Sequence, residues 1–323
     1  MTPDDPCRVA LDLLGHLARA DEPLAQYTTY RVGGAAAVFA VPRSRADLQL
    51  IAEVLQRTGL PVLVVGRGSN LLVADAGFRG IAISLADFAG GLRIDPDGPS
   101  AVVTAEAACA LPVVARRTVA AGLTGFEWAV GVPGSIGGAV RMNAGGHGAD
   151  IAGTLIDAEL FDLRRGAHGW VRADQLGLRF RGSDIADHQV VIAARLRLQP
   201  GNQFESEVML GDIVKWRREH QPGGQNAGSV FVNPIPGELA AAQLIDQLGL
   251  RGFAVGGAHV SEKHANFVQA ADGATAADVL QVMRHVRATV AAESGFLLRS
   301  EVRLAGFDDL EPHELHEAAG VTW

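Results

Sequence analysis

Cysteine is nearly absent: Cys7 and Cys109 stand alone, far apart and outside any metal-ligand spacing. Neither a disulfide framework nor a zinc site is thereby suggested, and both residues read as free thiols. Lysine is as scarce, occurring only at Lys215 and Lys263, so Schiff-base or lysine-clamp chemistry has few candidates and any anion site must lean on arginine and backbone amides. An excess of basic charge is also missing. The formal net charge of -8 argues against a general nucleic-acid binder, which neutralises phosphates with a basic surface, but leaves small anionic ligands open. No apolar run is long enough to cross a bilayer, and the acidic start Thr2-Pro3-Asp4-Asp5 lacks the basic flank of a signal peptide, so no membrane insertion and a cytoplasmic location are expected. Internal repeats and low-complexity tracts are lacking too.

What is present is an ordinary globular composition, 48% hydrophobic and 20% charged, with 39 glycines that turns, bulges or ligand loops must explain. At 323 residues two or three packed units are expected rather than one core. Leu11, Leu14 and Leu17 predict an N-terminal helix over residues 9–20, within an extension covering 1–26. A strand at 37–41, a helix at 45–57 and the apolar strand 61–65 follow in β-α-β order and predict a lobe over residues 27–85. A Gly/Asp/Pro-rich stretch at 90–100 is expected to be a turn or boundary. Beyond it, a strand at 101–106, a helix opened by Leu111-Pro112, and strand-length segments at 155–163 and 190–198 predict a second lobe over 86–200. Val208, Ile213, Val214 and Trp216 fit an amphipathic helix, residues 239–248 a second, and residues 275–293 a third with Asp278 three residues after a threonine cap. Residues 201–305 thus read as a third, α+β unit, and 306–323 as an acidic, peripheral tail.

Two glycine-dense loops follow apolar runs. In Gly66-Arg67-Gly68-Ser69-Asn70, Leu71 stands where a dinucleotide fingerprint needs its third glycine, and Leu71-Leu72-Val73 predicts a strand rather than the required helix, which disfavours a Rossmann site. Gly131-Val132-Pro133-Gly134-Ser135-Ile136-Gly137-Gly138-Ala139 lacks the Gly-Lys-Ser/Thr ending of a Walker phosphate loop, which disfavours a kinase or ATPase. Two such loops suit a pyrophosphate bound by backbone amides, with Ser69, Asn70 and Ser135 adding side-chain hydrogen bonds; tight turns between strands are the ordinary alternative.

Taken together, Tyr30-Arg31-Val32-Gly33-Gly34, the block from Val65 to Leu72, Gly125-Phe126-Glu127-Trp128 running into the second loop, Arg141-Met142-Asn143-Ala144-Gly145-Gly146, Asn226-Ala227-Gly228-Ser229, Leu244-Ile245-Asp246, Gly256-Gly257-Ala258 and Glu301-Val302-Arg303 resemble the blocks of UDP-N-acetylenolpyruvoylglucosamine reductases, in that family's order from about residue 27 to 305. The resemblance is to the form lacking an extra tyrosine loop. It implies an α+β fold: a two-lobed FAD-binding domain of the vanillyl-alcohol-oxidase type over 27–200, followed by a substrate domain over 201–305.

The resemblance also implies the chemistry. NADPH reduces FAD, and hydride then passes to the enolpyruvyl double bond of a UDP-sugar, giving UDP-N-acetylmuramate for peptidoglycan. Charge left beside the substrate carboxylate needs stabilisation and then a proton. By motif position Ser229 is the proton donor, with Arg181 of Phe180-Arg181-Gly182-Ser183 and Glu301 as its catalytic companions. FAD is assigned to Gly66, Arg67, Gly68, Ser69, Asn70, Leu71, Pro133, Gly134, Ser135, Gly137, Gly138, Ala139 and Arg217, and substrate to Asn233 and Lys263. The enzyme is expected to be a monomer with no partner beyond its small molecules. Taken singly, Ser229, Arg181 and Glu301 read as a turn, a surface charge and a strand-end ion pair; joint placement favours the catalytic reading.

This sequence departs from the family at Val232, where lysine is usual, and at Phe180 and His147, where tyrosine is common. If that lysine holds the substrate diphosphate, Lys263, Arg251 or His220 must replace it. His259 and His264 lack a third ligand of suitable spacing and are expected in structural or rim roles. Another flavin oxidase or dehydrogenase on the same scaffold, or a silent nucleotide-binding homologue, are the rival readings.

Overall fold

The computed structural model describes residues 5–88 and 91–314. Thr2, Pro3 and Asp4 of the acidic start, Gly90, and residues 315–323 of the tail lie outside the described residues. Asp5 caps helix α1 (Pro6–Leu14) by accepting from Cys7 N at 2.9 Å. The helix does not run on to residue 20: Gly15 ends it at φ 53°, and after one 3-10 turn Ala18–Pro23 becomes strand β1. The leucine spacing was satisfied by α1 plus that turn, with glycine supplying the left-handed backbone that breaks the pattern.

β1 pairs antiparallel with β2 (Ala35–Ala40). Helix α2 (Arg45–Thr58) follows, opened by a Ser44/Asp47 capping box, closed by Gly59, and burying Leu48, Ile51, Ala52 and Val54 on one face. Strands β3 (Val62–Val65) and β5 (Phe78–Ser84) complete a sheet of order β1-β2-β5-β3, in which β2 and β3 both run parallel to β5. Strand β4 (Leu71–Val73), buried throughout, stands apart from this sheet.

Much of the stretch expected to be a turn is strand. β6 (Leu92–Asp97) forms a hairpin with β7 (Ser100–Glu106), and only its tip, with Gly98 at φ 57°, turns. Helix α3 (Leu111–Ala120) starts with proline in its first turn, and the short α4 (Ile136–Met142) closes the second glycine loop. With β8 (Leu155–Asp162), β9 (Ala167–Arg172) and β10 (Gln189–Pro200), the second sheet has order β9-β8-β10-β7-β6, and Leu123–Thr124 pairs with the end of β10. Phe161, Val190 and Ile192 of this sheet share one buried cluster with Leu14, Ile51 and Ile83, so the two sheets are fused through common apolar contacts.

Helix α5 (Gln203–His220) departs from the expected amphipathic pattern: only Ser206 and Ile213 are buried, while Val208, Val214 and Trp216 are more than 40% exposed. Ile213 packs into the core of the second sheet with Trp128 and Val130. Helix α6 (Ala241–Gln247), strands β11 (Ala258–Val260) and β12 (Val268–Ala270), and helix α7 (Ala276–Ser294) build the C-terminal cluster, which also takes in Tyr30, Val32 and Leu72. The Thr275/Asp278 capping box expected for α7 is present. Strand β13 (Arg303–Ala305) then returns to run parallel with β4, bringing the C-terminal segment back to the first glycine loop. The described part of the tail is not peripheral, since Glu314 is 1% exposed. Among the described residues no helix is long and apolar enough to cross a membrane.

Candidate active site

The first glycine loop leaves β3 and doubles back into β4. Gly68 has φ 60°, and a Cβ built on it would lie 1.9 Å from Tyr27 O, so only glycine fits. Its own carbonyl accepts from Thr29 N at 3.1 Å. The second loop is fixed by Glu127, a buried carboxylate that accepts from Ser206 Oγ at 2.6 Å, Thr124 Oγ1 at 2.7 Å and Gly125 N at 2.8 Å. Burial pushes Glu127 up, but these hydrogen bonds outweigh it and hold the carboxyl below its usual range.

The two loops face each other. A Cβ on Gly66 would lie 3.1 Å from Ser135 Oγ, and one on Gly134 3.8 Å from Ser69 Oγ. Between them opens a cleft of about 760 Å³, lined by both loops and by Arg141, Asp187 and Arg303. That volume lies inside the roughly 300–1,000 Å³ usual for cofactor and ligand sites, and the bare glycine backbones let an extended diphosphate approach closely, so the residues fit a dinucleotide. The amide nest is narrower than the sequence suggested, because Ile136 N and Gly137 N already donate to Cys109 O at 2.9 Å and Ala107 O at 3.0 Å. Asn70 is also committed: its Nδ2 donates to Glu301 O at 2.9 Å, and its carbonyl accepts from Arg303 N at 3.1 Å.

The cleft contains charged groups that motif reading had not singled out. Asp187 accepts from Arg141 Nη2 at 2.6 Å and from Arg303 Nη2 at 2.7 Å. Burial, together with the like charge of Arg303, takes Arg141 down to about 10. For Asp187 burial acts upward, and Arg303 and Arg141 overcome it to leave the carboxyl low. Arg141 and Arg303 sat inside recognised blocks and were detectable there; Asp187 carried no local signal.

Arg181 and Glu301 meet directly, Nε to Oε1 at 3.1 Å, with side chains 22% and 19% exposed. Arg181 adopts φ 56°, donates from Nη2 to Gly145 O at 3.0 Å, and lies with Cζ 4.8 Å from the centre of the Phe180 ring. Burial pushes Glu301 up to about 7, with Arg181 acting against it. Glu301 N donates to Val230 O at 2.9 Å, next in sequence to Ser229, and Ser229 itself pairs with Phe267. None of the three lines the 760 Å³ cleft itself. Asn70, which holds the Glu301 carbonyl, and Arg303, two residues on, join Glu301 and its partner Arg181 to it.

The remaining expected residues take local partners. A Cβ on Gly131 would lie 2.7 Å from Arg217 Cδ, so the Arg217 stem lies against the second loop; burial holds its guanidinium below its ordinary value, and no carboxylate among the described residues pairs with it. Asn233 Oδ1 accepts from Ala241 N at 3.1 Å, at the start of α6. Lys263 Nζ donates to Arg218 O at 2.5 Å, Arg251 to Asp246 Oδ1 at 2.5 Å, and His220 Nδ1 lies 2.8 Å from Trp216 O. All three candidates to replace the missing lysine are thus engaged elsewhere. Sequence reading missed Arg299: its carbonyl accepts from Val232 N at 3.0 Å, and its exposed guanidinium acts on Glu301. This bond sets the backbone of Arg299 opposite that of Val232, which is buried while Arg299 is exposed. His264 Nδ1 accepts from Asn266 N at 3.2 Å, and His264 packs edge-on against Phe267.

Comparison with known proteins agrees with this architecture. Residues 36–162 match the FAD binding domain family, and residues 220–305 match the UDP-N-acetylenolpyruvoylglucosamine reductase, C-terminal domain family. The UDP-N-acetylenolpyruvoylglucosamine reductase of Heliobacterium modesticaldum is 42% identical over 291 residues, covering 88% of this chain and 90% of that protein. That of Geotalea uraniireducens is 39% identical over 309 residues, covering 95% and 100%. The crystal structure of UDP-N-acetylenolpyruvylglucosamine reductase from Thermus caldophilus superimposes with a TM-score of 0.74 at 31% identity, covering 89% of this chain and 99% of that one. The chain therefore belongs to the UDP-N-acetylenolpyruvoylglucosamine reductase family.

Proposed function

We propose that the protein reduces UDP-N-acetylenolpyruvoylglucosamine to UDP-N-acetylmuramate at the expense of NADPH, as a cytoplasmic monomer. The observation that carries this reading is the meeting of Arg181 with Glu301 at 3.1 Å on a segment tied by hydrogen bonds both to Asn70 of the first glycine loop and to Val230 beside Ser229. Bound FAD supplies the hydride, which NADPH replenishes. Gly66, Arg67, Gly68, Ser69 and Leu71 of one loop, and Gly134, Ser135 and Gly138 of the other, line the cleft and hold its diphosphate; Pro133 has no N–H and Ala139 N is bonded to Ser135 O at 2.8 Å, so neither donates to it, and Arg217 contributes charge from beside Gly131.

Once the terminal carbon of the enolpyruvyl group has gained hydride, negative charge gathers on the carbon beside the substrate carboxylate. Arg181 spreads that charge. Ser229 Oγ–H gives its proton to that carbon and takes one back from water before the next turnover, while Glu301, raised to about 7 by burial, holds Arg181 in place without bringing a full second negative charge. Arg299 supplies the cation that Val232 cannot. Because NADPH and substrate are used in turn, they overlap in space. The test is NADPH oxidation by the purified FAD-loaded chain with and without the enolpyruvyl UDP-sugar. Oxidation that depends on the sugar supports the reading; FAD bound with no sugar-dependent turnover overturns it and leaves a silent binder or another flavin oxidoreductase.

A further inference from the structure

The carboxylate of Glu314, near the end of the described chain, is fully buried. Arg284 grips it with Nε to Oε1 at 3.1 Å and Nη2 to Oε2 at 3.1 Å, Arg287 donates to the same Oε1, and Glu311 N donates to Oε2 at 2.9 Å. Burial acts upward on Glu314, yet the two guanidinium groups outweigh it and take the carboxyl to about 2. Arg284 also holds Asp309 through its carbonyl at 2.7 Å and its Oδ2 at 3.1 Å. Residues 309–314 are thereby strapped onto α7. The strap touches the candidate active site through its backbone: His313 O accepts from Ser300 N at 3.3 Å. Ser300 is 1% exposed and precedes Glu301, whose own N–H goes to Val230 and whose carbonyl is held by Asn70.

A buried ion cluster is a poor source of stability, because desolvation offsets most of its Coulomb attraction. This one also leaves Arg287 Nη1 buried with no hydrogen-bond partner among the described residues. Such a cluster can instead serve to fix position, because four directed hydrogen bonds converge on one buried carboxylate. We infer that Glu314 is a positioning residue for Glu301: docked on Arg284 and Arg287, it presents the His313 carbonyl to Ser300 and so fixes the backbone from which Glu301 reaches Arg181. The strap lies beyond residues 220–305, which match the family's C-terminal domain. The inference rests on the role proposed above for Glu301.

The test uses the full-length, FAD-loaded protein with Glu314→Gln and, in case that variant fails to fold, Arg284→Lys, which keeps the charge but loses the planar fork. Three quantities are read: amide exchange of the segment containing Ser300, flavin reduction by NADPH, and flavin reoxidation by the enolpyruvyl sugar as a function of pH. Faster exchange is expected at Ser300, with reoxidation slowed about tenfold, its pH dependence displaced upward as the Arg181 contact loosens, and reduction changed by less than about twofold. Parallel loss of both half-reactions, or unchanged reoxidation despite faster exchange, overturns the inference. Glu301→Gln separates the two levels. If it leaves reoxidation intact, the role of Glu301 and this inference fall together; if it slows reoxidation while the strap variants do not, only the strap's role falls.

Discussion

The side-chain amide of Asn70 donates to the backbone carbonyl of Glu301 at 2.9 Å, tying the first glycine loop to a carboxyl contributed from the far end of the chain. The position of the loop is therefore tied to that of Glu301. Asn70→Ala removes the donor and leaves a partly buried carbonyl short of a partner. A loss of about 1–2 kcal/mol is expected, with slower flavin reoxidation; urea unfolding and rapid mixing read the two effects.

Glu301 makes stability depend on pH. Its carboxyl is raised from 4.5 to about 7 in the fold, so from the unfolded value upward the unfolded chain releases a proton that the folded chain retains. This contribution to stability is complete below about 4.5 and is lost as pH rises to about 7, amounting to roughly 3 kcal/mol. Glu301→Gln has no such titration. Unfolding curves of the two proteins should converge in relative stability at low pH and shift in favour of the variant above neutrality; parallel curves contradict the assignment.

Gly68→Ala places a methyl group where Tyr27 O stands and forces a non-glycine residue to φ 60°. Destabilisation of more than about 2 kcal/mol is expected, with loss of retained flavin. Thermal melting and the visible absorbance of the purified protein measure both.

Arg299→Ala should raise KM for the UDP-sugar about tenfold and change kcat little, because the proposed contact is to a part of the substrate that does not react. Arg299→Lys should restore most of the affinity. An unchanged KM would return the diphosphate to some other cation.

The glycine loops, the cap of α7 at Thr275 and Asp278, and the strand nature of Leu71-Leu72-Val73 were legible, because each depends on residues adjacent in sequence. Arg181 and Glu301 were legible only as members of separate blocks; their contact is a property of the fold. Other features were closed to sequence reading. The apolar residues of α5 suggested a buried stripe, yet the helix is tied down by Ile213 and by Ser206, which bonds Glu127. Asp187 acquires its place by bridging two arginines from different units. The tail looked like an acidic fringe because its neutralising partners, Arg284 and Arg287, lie on α7.

The central claim is that Ser229 delivers the proton after hydride transfer, and the two half-reactions of Ser229→Ala, followed anaerobically by flavin absorbance, test it most directly. Reduction by NADPH should stay within about twofold of the parent, while reoxidation by the enolpyruvyl sugar should fall by about two orders of magnitude or more. Equal losses in both half-reactions, or reoxidation at the parent rate, would contradict it.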